Sequence, residues 1–227
     1  MKENITIGVL GIQGDIEENL AATKVALQNM KVKGNVEQVR YHEEVEKVDG
    51  LVLPGGESTV VSTLSSMQGG EGGELFQTIK KRVSEGMPIM GICAGMILLS
   101  RRAYDRVVGE TKQKLLGALD VVVERNAFGR QNESFEVNLE MSALGKNKLK
   151  AIFIRAPVVT EIGTGVNILA ELNGKIVAVT QKNIIGTSKK GLSDLMKIKI
   201  YDYTFKSDPN KKVLRPYLAP LFLESAR

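Results

Sequence analysis

The chain has 227 residues, of which 43% are hydrophobic and 25% are charged, as is usual for a soluble protein with one sizeable core. One cysteine and one histidine exclude an internal disulfide framework and supply too few ligands for a zinc site. No apolar run approaches the ~18 residues of a membrane span, and no signal-peptide pattern is present. We therefore expect a cytoplasmic protein without a metal or other cofactor.

The net charge of +5 is concentrated at one end of the chain. Residues 189–227 carry nine Lys or Arg against four Asp or Glu, which leaves 22 basic and 22 acidic residues in 1–188. Aromatic residues make up only 5%. A neutral body with few aromatic side chains argues against a nucleic-acid partner.

The chain begins with the pattern of a buried strand followed by a helix. The Ile- and Val-rich run at 5–12 predicts a strand covered on both faces. Residues 15–30 predict a helix, for which Asp15 and Glu18 resemble a capping box. The predicted apolar face of this helix comprises Ile16, Leu20, Ala21, Thr23, Val25 and Leu27.

Strands and helices continue to alternate as far as residue 103. We predict strands at 36–41, 50–56 and 88–93, helices at 74–83 and 94–103, and a flexible loop at 68–73. This alternation indicates an α/β fold whose parallel sheet has helices on both faces. From residue 115 onward the chain contains strand-like pieces that we expect to be antiparallel additions to the sheet: "LDVVVER", "SFEVNLEM", "KAIFIRAP", "NILAEL", "KIVAVTQ" and "NIIGTS".

The cysteine lies in the sequence Gly91-Ile92-Cys93-Ala94-Gly95, between a predicted strand and a predicted helix. Small residues on both sides allow the sharp turn of a nucleophile elbow, which projects the central side chain. The N–H of Ala94 could then face a developing oxyanion, and the helix N-terminus favours a thiolate. The alternative is a buried structural cysteine; the flanking glycines and the apolar strand favour the nucleophile.

Two further features have both a functional and a purely structural interpretation. "PGGEST" (54–59) follows a predicted strand where parallel sheets bind ligands, but taken alone it is more typical of a plain turn with a serine cap. Arg125 and Arg155 suit bidentate binding of a carboxylate, but either could be a solvated surface arginine. His42 lies among charged residues, and we expect it to be exposed.

Taken together, the stretches "GVLGIQGD", "LVLPGGEST", "GICAG", "VVVERNAFGRQ", "SFE" and "IFIRAP" resemble one family. They are similar to the glutaminase subunits of pyridoxal 5'-phosphate synthase, the PdxT/SNO family of class I glutamine amidotransferases. The resemblance covers roughly residues 4–188. It implies a three-layer, flavodoxin-like sheet and hydrolysis of L-glutamine to L-glutamate and ammonia. The ammonia would pass to a barrel-shaped synthase subunit that builds vitamin B6.

The resemblance also implies roles for individual residues. Cys93 would be the nucleophile that forms a glutamyl thioester, and Gly56 and Ala94 would supply oxyanion N–H groups. The "GIQGD" loop, with Gln13, resembles the segment near the synthase contact. The residues that would hold glutamine are Gly56, Glu57, Ser58, Arg125, Ile154 and Arg155.

The chain departs from the family pattern after Ser188. The family continues Ser-Phe-His-Pro-Glu-Leu, in which His is the general base and Glu orients it, whereas this chain continues with Lys189 and Lys190. A protonated lysine does not easily replace the base, and losing a base typically costs several orders of magnitude in rate. We therefore predict a glutaminase domain at 1–188 and a divergent basic tail at 189–227.

Three explanations fit this departure: a glutaminase-like protein without activity, an enzyme that uses another base, or a change of reading frame. The main hypothesis is a glutaminase subunit with impaired activity. The second is an inactive binding or regulatory partner of the synthase. A third, a cysteine hydrolase or oxidative-stress sensor of another flavodoxin-like family, does not explain "ERNAFGRQ" or "FIRAP".

Overall fold

The computed structural model describes residues 4–67, 73–129, 134–140 and 148–188. Most of the predicted loop at 68–73 and the whole of 189–227 lie outside these ranges. In chain order, the described residues form β1 (Ile5–Leu10), α1 (Ile16–Asn29), β2 (Gly34–Val39), α2 (His42–Val45), β3 (Gly50–Leu53), α3 (Ser58–Met67), α4 (Glu74–Ser84), β4 (Ile89–Ile92), α5 (Ala94–Leu99), β5 (Ser100–Asp105), β6 (Gly109–Glu110), β7 (Leu119–Arg125), β8 (Phe135–Glu140), β9 (Lys148–Phe153), β10 (Val158–Ile162), β11 (Asn167–Leu172), β12 (Lys175–Gln181) and β13 (Ile184–Thr187).

Parallel strands form the centre of the main sheet. Neighbouring strands in the order β2-β1-β3-β4-β13 are all parallel. Strands β3, β4 and β13 are buried at every residue, which explains their continuous apolar sequences, since both faces of a parallel sheet are covered. The predicted parallel core is confirmed. The prediction that "NIIGTS" adds an antiparallel strand is wrong, because β13 joins β4 in the parallel part.

The sheet continues beyond β13 in the order β12-β10-β7-β5-β6, with β11 beside β12. The β12–β13, β10–β12, β7–β10 and β11–β12 pairs are antiparallel, so antiparallel additions are present as predicted. Strands β8 and β9 instead pair with each other in a separate two-stranded sheet. Phe135 and Phe153 of this hairpin stack at 5.3 Å between ring centroids, which gives the pair its own apolar contact.

Helix α1 is present where predicted, but its start and its buried face differ in detail. Asp15 occupies the N-cap position without a side-chain capping bond, so the predicted capping box is absent. Ala21 and Val25 are exposed, whereas Asn19 and Ala26 are buried. Asn19 is accommodated on the buried face because its side-chain amide donates to the carbonyl of Asp15 at 2.6 Å.

Helix α5 is shorter than the predicted helix at 94–103, which was wrong beyond Leu99. The Ser100 hydroxyl donates to the carbonyl of Ile97 at 2.7 Å, and the backbone is extended from Ser100 onward. Residues 100–105 then pair in parallel with β7. A strand partner nearly twenty residues later in the chain therefore overrides a local sequence that is compatible with helix.

The sheet is covered on two faces, as the three-layer prediction requires. Val52 of β3 belongs to an apolar cluster that includes Leu27 of α1 and the β8–β9 hairpin. Leu51 and Leu53 belong to a second cluster, with Leu75 of α4 and the side chains of α5. Successive strand residues point to opposite faces, so α1 and α4 cover opposite sides. Within the described ranges, no helix is long and apolar enough to cross a membrane.

Candidate active site

Cys93 lies at the turn between β4 and α5, with φ of 51° and ψ of −103°. Residues other than glycine rarely adopt such a φ, and this strained turn is the geometry of a nucleophile elbow. A Cβ atom on Gly91 would lie 2.5 Å from the carbonyl of Gly95, and one on Gly95 would overlap the carbonyl oxygen of Leu53. Both glycines are therefore needed for the close packing of α5 against β4 and β3.

The backbone on either side of the Cys93 side chain is held by two hydrogen bonds. The Cys93 N–H donates to the carbonyl of Thr187 at 2.7 Å, and the Cys93 carbonyl accepts from the N–H of Ile97 at 3.2 Å. The residue as a whole is only 7% exposed. Thr187 is the last residue of β13, so this hydrogen bond places the end of that strand beside Cys93.

The turn after β3 packs against the loop after β1. A Cβ atom on Gly56, where φ is 155°, would lie 2.7 Å from Oε1 of Gln13, so only glycine fits there. The same Oε1 accepts the N–H of Glu57 at 2.9 Å, and the N–H of Asp15 donates to the carbonyl of Gly55 at 3.0 Å. These contacts hold the two loops together beside Cys93.

Glu57 and Arg125 form an ion pair at the edge of this region. Nη2 of Arg125 lies 2.6 Å from Oε1 of Glu57, and the two side chains are 14% and 37% exposed. The hydroxyl of Thr59 also donates to Oε1 of Glu57, at 2.9 Å. The arginine predicted to bind a carboxylate therefore contacts a carboxylate of its own chain.

Ser58 begins α3 and is almost completely buried. Its hydroxyl donates to Oε1 of Gln113 at 3.0 Å, and the hydroxyl of Ser62 donates to the carbonyl of Lys114 at 2.9 Å. The segment between β6 and β7 is thus attached to the start of α3. Nothing in the sequence indicated that Gln113 would reach Ser58.

These groups border a single cleft of about 350 Å³. Four residues that line the cleft were not predicted as site residues. Gly14 and Asp15 belong to "GIQGD", Asn126 belongs to "ERNAFGRQ", and Ile97 lies one helical turn after Cys93. The predicted residues that line the cleft are Gln13, Gly56, Glu57, Ser58, Cys93, Arg125, Ile154 and Arg155.

Ile154 and Arg155 reach the cleft from the end of β9. Arg155 has φ of 44°, is exposed, and has no ion-pair partner in the part of the chain that the structure describes. Ala94, the predicted oxyanion donor, is fully buried and does not line the cleft with its side chain. Its N–H belongs to the first residue of α5 and so has no acceptor within the helix.

The single histidine is not in the cleft. His42 begins α2, and its Nδ1 lies 3.4 Å from Glu43 and 3.2 Å from Glu74. Its side chain is 36% exposed, so it is less open than the sequence suggested. Lys189 and Lys190, which stand where the family has Phe and His, lie outside the described residues. Among the described residues, no cluster of His, Cys, Asp and Glu could hold a metal ion.

Comparison with known proteins identifies close relatives. The model of the SNO glutamine amidotransferase family matches residues 9–207. A protein of Nitrosopumilus maritimus named pyridoxal 5'-phosphate synthase subunit PdxT is 46% identical over 182 residues, which are 80% of this chain and 86% of that protein. A protein of the same name from Archaeoglobus fulgidus is 46% identical over 79% of this chain and 87% of that protein. One from Saccharolobus islandicus is 36% identical over 86% of this chain and 96% of that protein.

Solved structures agree with this result. A crystal structure of a glutamine amidotransferase is 39% identical, covers 81% of this chain and 88% of its own, and superposes with a TM-score of 0.67. A glutamine amidotransferase of Thermotoga maritima, at 12% identity and a TM-score of 0.52, covers 82% of this chain and 75% of its own. At that identity the second structure supports the fold alone.

Proposed function

This chain belongs to the SNO glutamine amidotransferase family, and from that premise we propose that it hydrolyses L-glutamine to L-glutamate and ammonia at Cys93. One observation carries the proposal. The strained, glycine-flanked Cys93 opens onto a cleft that also contains the oppositely charged Glu57 and Arg125. A thiol nucleophile beside one carboxylate and one guanidinium suits an α-amino acid with a reactive side-chain carbonyl.

In this proposal, the charges of the substrate replace the Glu57–Arg125 contact. The α-carboxylate of glutamine binds Arg125, and its α-ammonium group binds Glu57, so each partner keeps a charge-assisted hydrogen bond. The cleft volume of about 350 Å³ suits a small ligand. Gly56, Ser58, Ile154 and Arg155 complete the lining around the substrate.

The chemistry is a double displacement at the side-chain amide. Sγ of Cys93 bonds to the amide carbon while the N–H groups of Gly56 and Ala94 stabilise the oxyanion. The carbon–nitrogen bond then breaks and the amide nitrogen takes the thiol proton. Ammonia departs, and a glutamyl thioester remains on Cys93. The oxygen of a water molecule then bonds to the thioester carbon and the carbon–sulfur bond breaks. The sulfur takes a proton from that water, which restores the thiol, and glutamate is released.

We also propose the cellular setting from the relatives. Their printed name, pyridoxal 5'-phosphate synthase subunit, supports a complex in which ammonia from this chain reaches a synthase subunit for vitamin B6 synthesis. A single cysteine that must act as a thiol supports a reducing, cytoplasmic compartment. The proposed chemistry requires neither a metal nor an organic cofactor.

A second candidate is a glutaminase-like partner that binds glutamine or the synthase without turnover. It is favoured by the position of His42, which pairs with Glu43 and Glu74 rather than lining the cleft. It is also favoured by Lys189 and Lys190 in place of the family's Phe and His. The division into a domain at 1–188 and a divergent tail remains a proposal, and the family match extends into that tail as far as residue 207.

Glutamate release from L-glutamine, measured with and without the synthase subunit, separates the two candidates. An enzyme gives turnover that the Cys93→Ala variant abolishes. A non-catalytic partner gives no Cys93-dependent turnover even in the complex, although glutamine still protects Cys93 from a glutamine-like electrophile such as 6-diazo-5-oxo-L-norleucine. Absence of both turnover and protection would overturn the proposed substrate.

A further inference from the structure

The end of β7, which carries Arg125, is attached to the β5–β6 hairpin by a carboxylate. Asp105 ends β5 directly opposite Arg125 in the parallel register. Its Oδ1 accepts the backbone N–H groups of Val107 at 2.9 Å and Val108 at 3.4 Å, which fixes the carboxylate within its own turn. Its Oδ2 accepts Nδ2 of Asn126 at 2.9 Å. Asp105 thereby connects the hairpin turn to the residue that follows Arg125.

Asn126 is held in a conformation that needs support. Its φ is 54°, a left-handed value that asparagine tolerates better than most residues. The next turn is closed by the N–H of Gly129, which donates to the carbonyl of Asn126 at 3.2 Å. The direction in which β7 ends, and hence the direction of Arg125, depends on this turn.

A neighbouring side chain attaches β7 to the same hairpin. Glu124 is 95% buried, since its exposed fraction is 5%. Its Oε1 lies 2.6 Å from Nε of Arg106, and its Oε2 accepts the hydroxyl of Tyr104 at 3.3 Å. Successive residues of a strand point to opposite faces, so Glu124 faces away from the Arg125 side chain. The hairpin therefore contacts the side chains on both sides of Arg125, those of Glu124 and Asn126.

The environment of Asp105 keeps it ionised. The hydrogen bond from the Val107 N–H is the largest cause that lowers the pKa of Asp105, and the Asn126 amide and the charge of Arg125 lower it further. A carboxylate that stays charged keeps both oxygens available as acceptors at neutral pH.

We propose that Asp105 is a positioning residue that, through Asn126, directs Arg125 toward the α-carboxylate of the substrate. The proposal rests on the proposed function, since it assigns glutamine to Arg125. Asp105 does not line the cleft, so it acts only through its neighbours. Its removal is therefore expected to weaken substrate binding while the reactivity of Cys93 is retained.

Saturable alkylation of Cys93 by 6-diazo-5-oxo-L-norleucine in the full-length chain tests this, because it yields a binding constant and a maximal rate separately. The variants are Asp105→Ala, Asp105→Asn and Asn126→Gly, the last of which keeps the left-handed backbone but removes the amide donor. Val108→Ala is the matched control, because it alters the same hairpin and retains every hydrogen bond to Asp105. A diazoketone of equal length without the α-carboxylate serves as the second probe.

We expect Asp105→Ala and Asn126→Gly to raise the half-saturating concentration of the first probe by about tenfold, with the maximal rate unchanged within about twofold. Labelling by the second probe should stay the same, because it makes no contact with Arg125. Asp105→Asn should recover most of the binding, since its amide oxygen still accepts one hydrogen bond. Val108→Ala should match the wild type.

Two results would overturn the proposal in different ways. If Asp105→Ala and Asn126→Gly bind the first probe as the wild type does, or if both variants weaken labelling by the two probes equally, the positioning role is wrong while the proposed function stands. If L-glutamine does not protect wild-type Cys93 at all, the proposed function fails and this proposal fails with it.

Discussion

A methyl group added at Gly91 perturbs the Cys93 turn without changing any polar group. Gly91 lies in β4, and its φ is outside the left-handed range, so its backbone can accommodate alanine. The added Cβ atom would lie 2.5 Å from the carbonyl carbon and oxygen of Gly95, and 2.5 Å from Cδ1 of Leu99. Ordinary contact begins near 3.4 Å, so β4 and α5 must separate by about 0.9 Å unless these atoms shift in other ways.

The expected loss of stability follows from this overlap. Overpacking a close-packed interior typically costs ~1–3 kcal/mol, and we expect the upper part of that range because two of the three close atoms belong to the backbone. Replacing glycine by alanine would otherwise stabilise the protein by ~0.4–1 kcal/mol through the unfolded chain. We therefore expect Gly91→Ala to reduce the free energy of unfolding by about 2 kcal/mol. A displacement of Cys93 on the order of 1 Å should also slow its reaction with a bound glutamine-like electrophile by about 100-fold.

Urea denaturation measures the first effect, and alkylation of Cys93 by 6-diazo-5-oxo-L-norleucine measures the second. Iodoacetamide, which does not use the substrate pocket, reports the reactivity of the thiol itself. Gly174→Ala is the control: it has a left-handed φ of 72° and open space around the added methyl, so it incurs only backbone strain of about 1 kcal/mol and leaves labelling unchanged. A Gly91→Ala variant as stable as the wild type, with normal labelling, would refute the packing argument.

Four further outcomes are expected from the same structure. Arg125→Ala should raise the concentration of L-glutamine that half-protects Cys93 by about 10- to 100-fold, because a charge-assisted hydrogen bond contributes ~1.5–3 kcal/mol; unchanged protection would remove Arg125 from the substrate site. His42→Asn should change the rate of Cys93 alkylation by less than about twofold, since the histidine pairs with glutamates outside the cleft; a large drop would instead indicate a catalytic role. Rebuilding residues 189–193 as Phe-His-Pro-Glu-Leu introduces Lys190→His and Leu192→Glu. This variant should release glutamate at least about 100-fold faster than the wild type, and no gain would argue against the loss of a catalytic triad. The pKa of Asp105 is lowered in the folded protein. Its contribution to stability is therefore present above its unfolded pKa of about 3.9 and is lost as the pH falls through its folded pKa. Denaturation curves should show that the stability difference between Asp105→Asn and the wild type shrinks below pH ~4.

The sequence was most informative where the physical constraint is local. "GICAG" predicts a sharp strand-to-helix turn because glycines one residue removed on either side of Cys93 permit close backbone contact, and the contacts of Gly91 and Gly95 agree with that reason. The apolar runs of β1, β3 and β4 predict a parallel core because only strands covered on both faces need such runs. The motif stretches likewise placed Glu57, Arg125 and Arg155 at one site, and all three line the cleft.

Tertiary structure alone decided which distant segments pair. "NIIGTS" has the composition of any buried strand, and its parallel pairing with β4 comes from the path of the whole chain. Residues 100–103 fit a helix by local pattern, yet they pair with β7 as part of a strand. The contact of Glu57 with Arg125 and the link from Asp105 to Asn126 join residues 68 and 21 positions apart, respectively. Hydrophobic period and turn chemistry are properties of neighbouring residues, whereas register and side-chain partners depend on the packing of the complete fold.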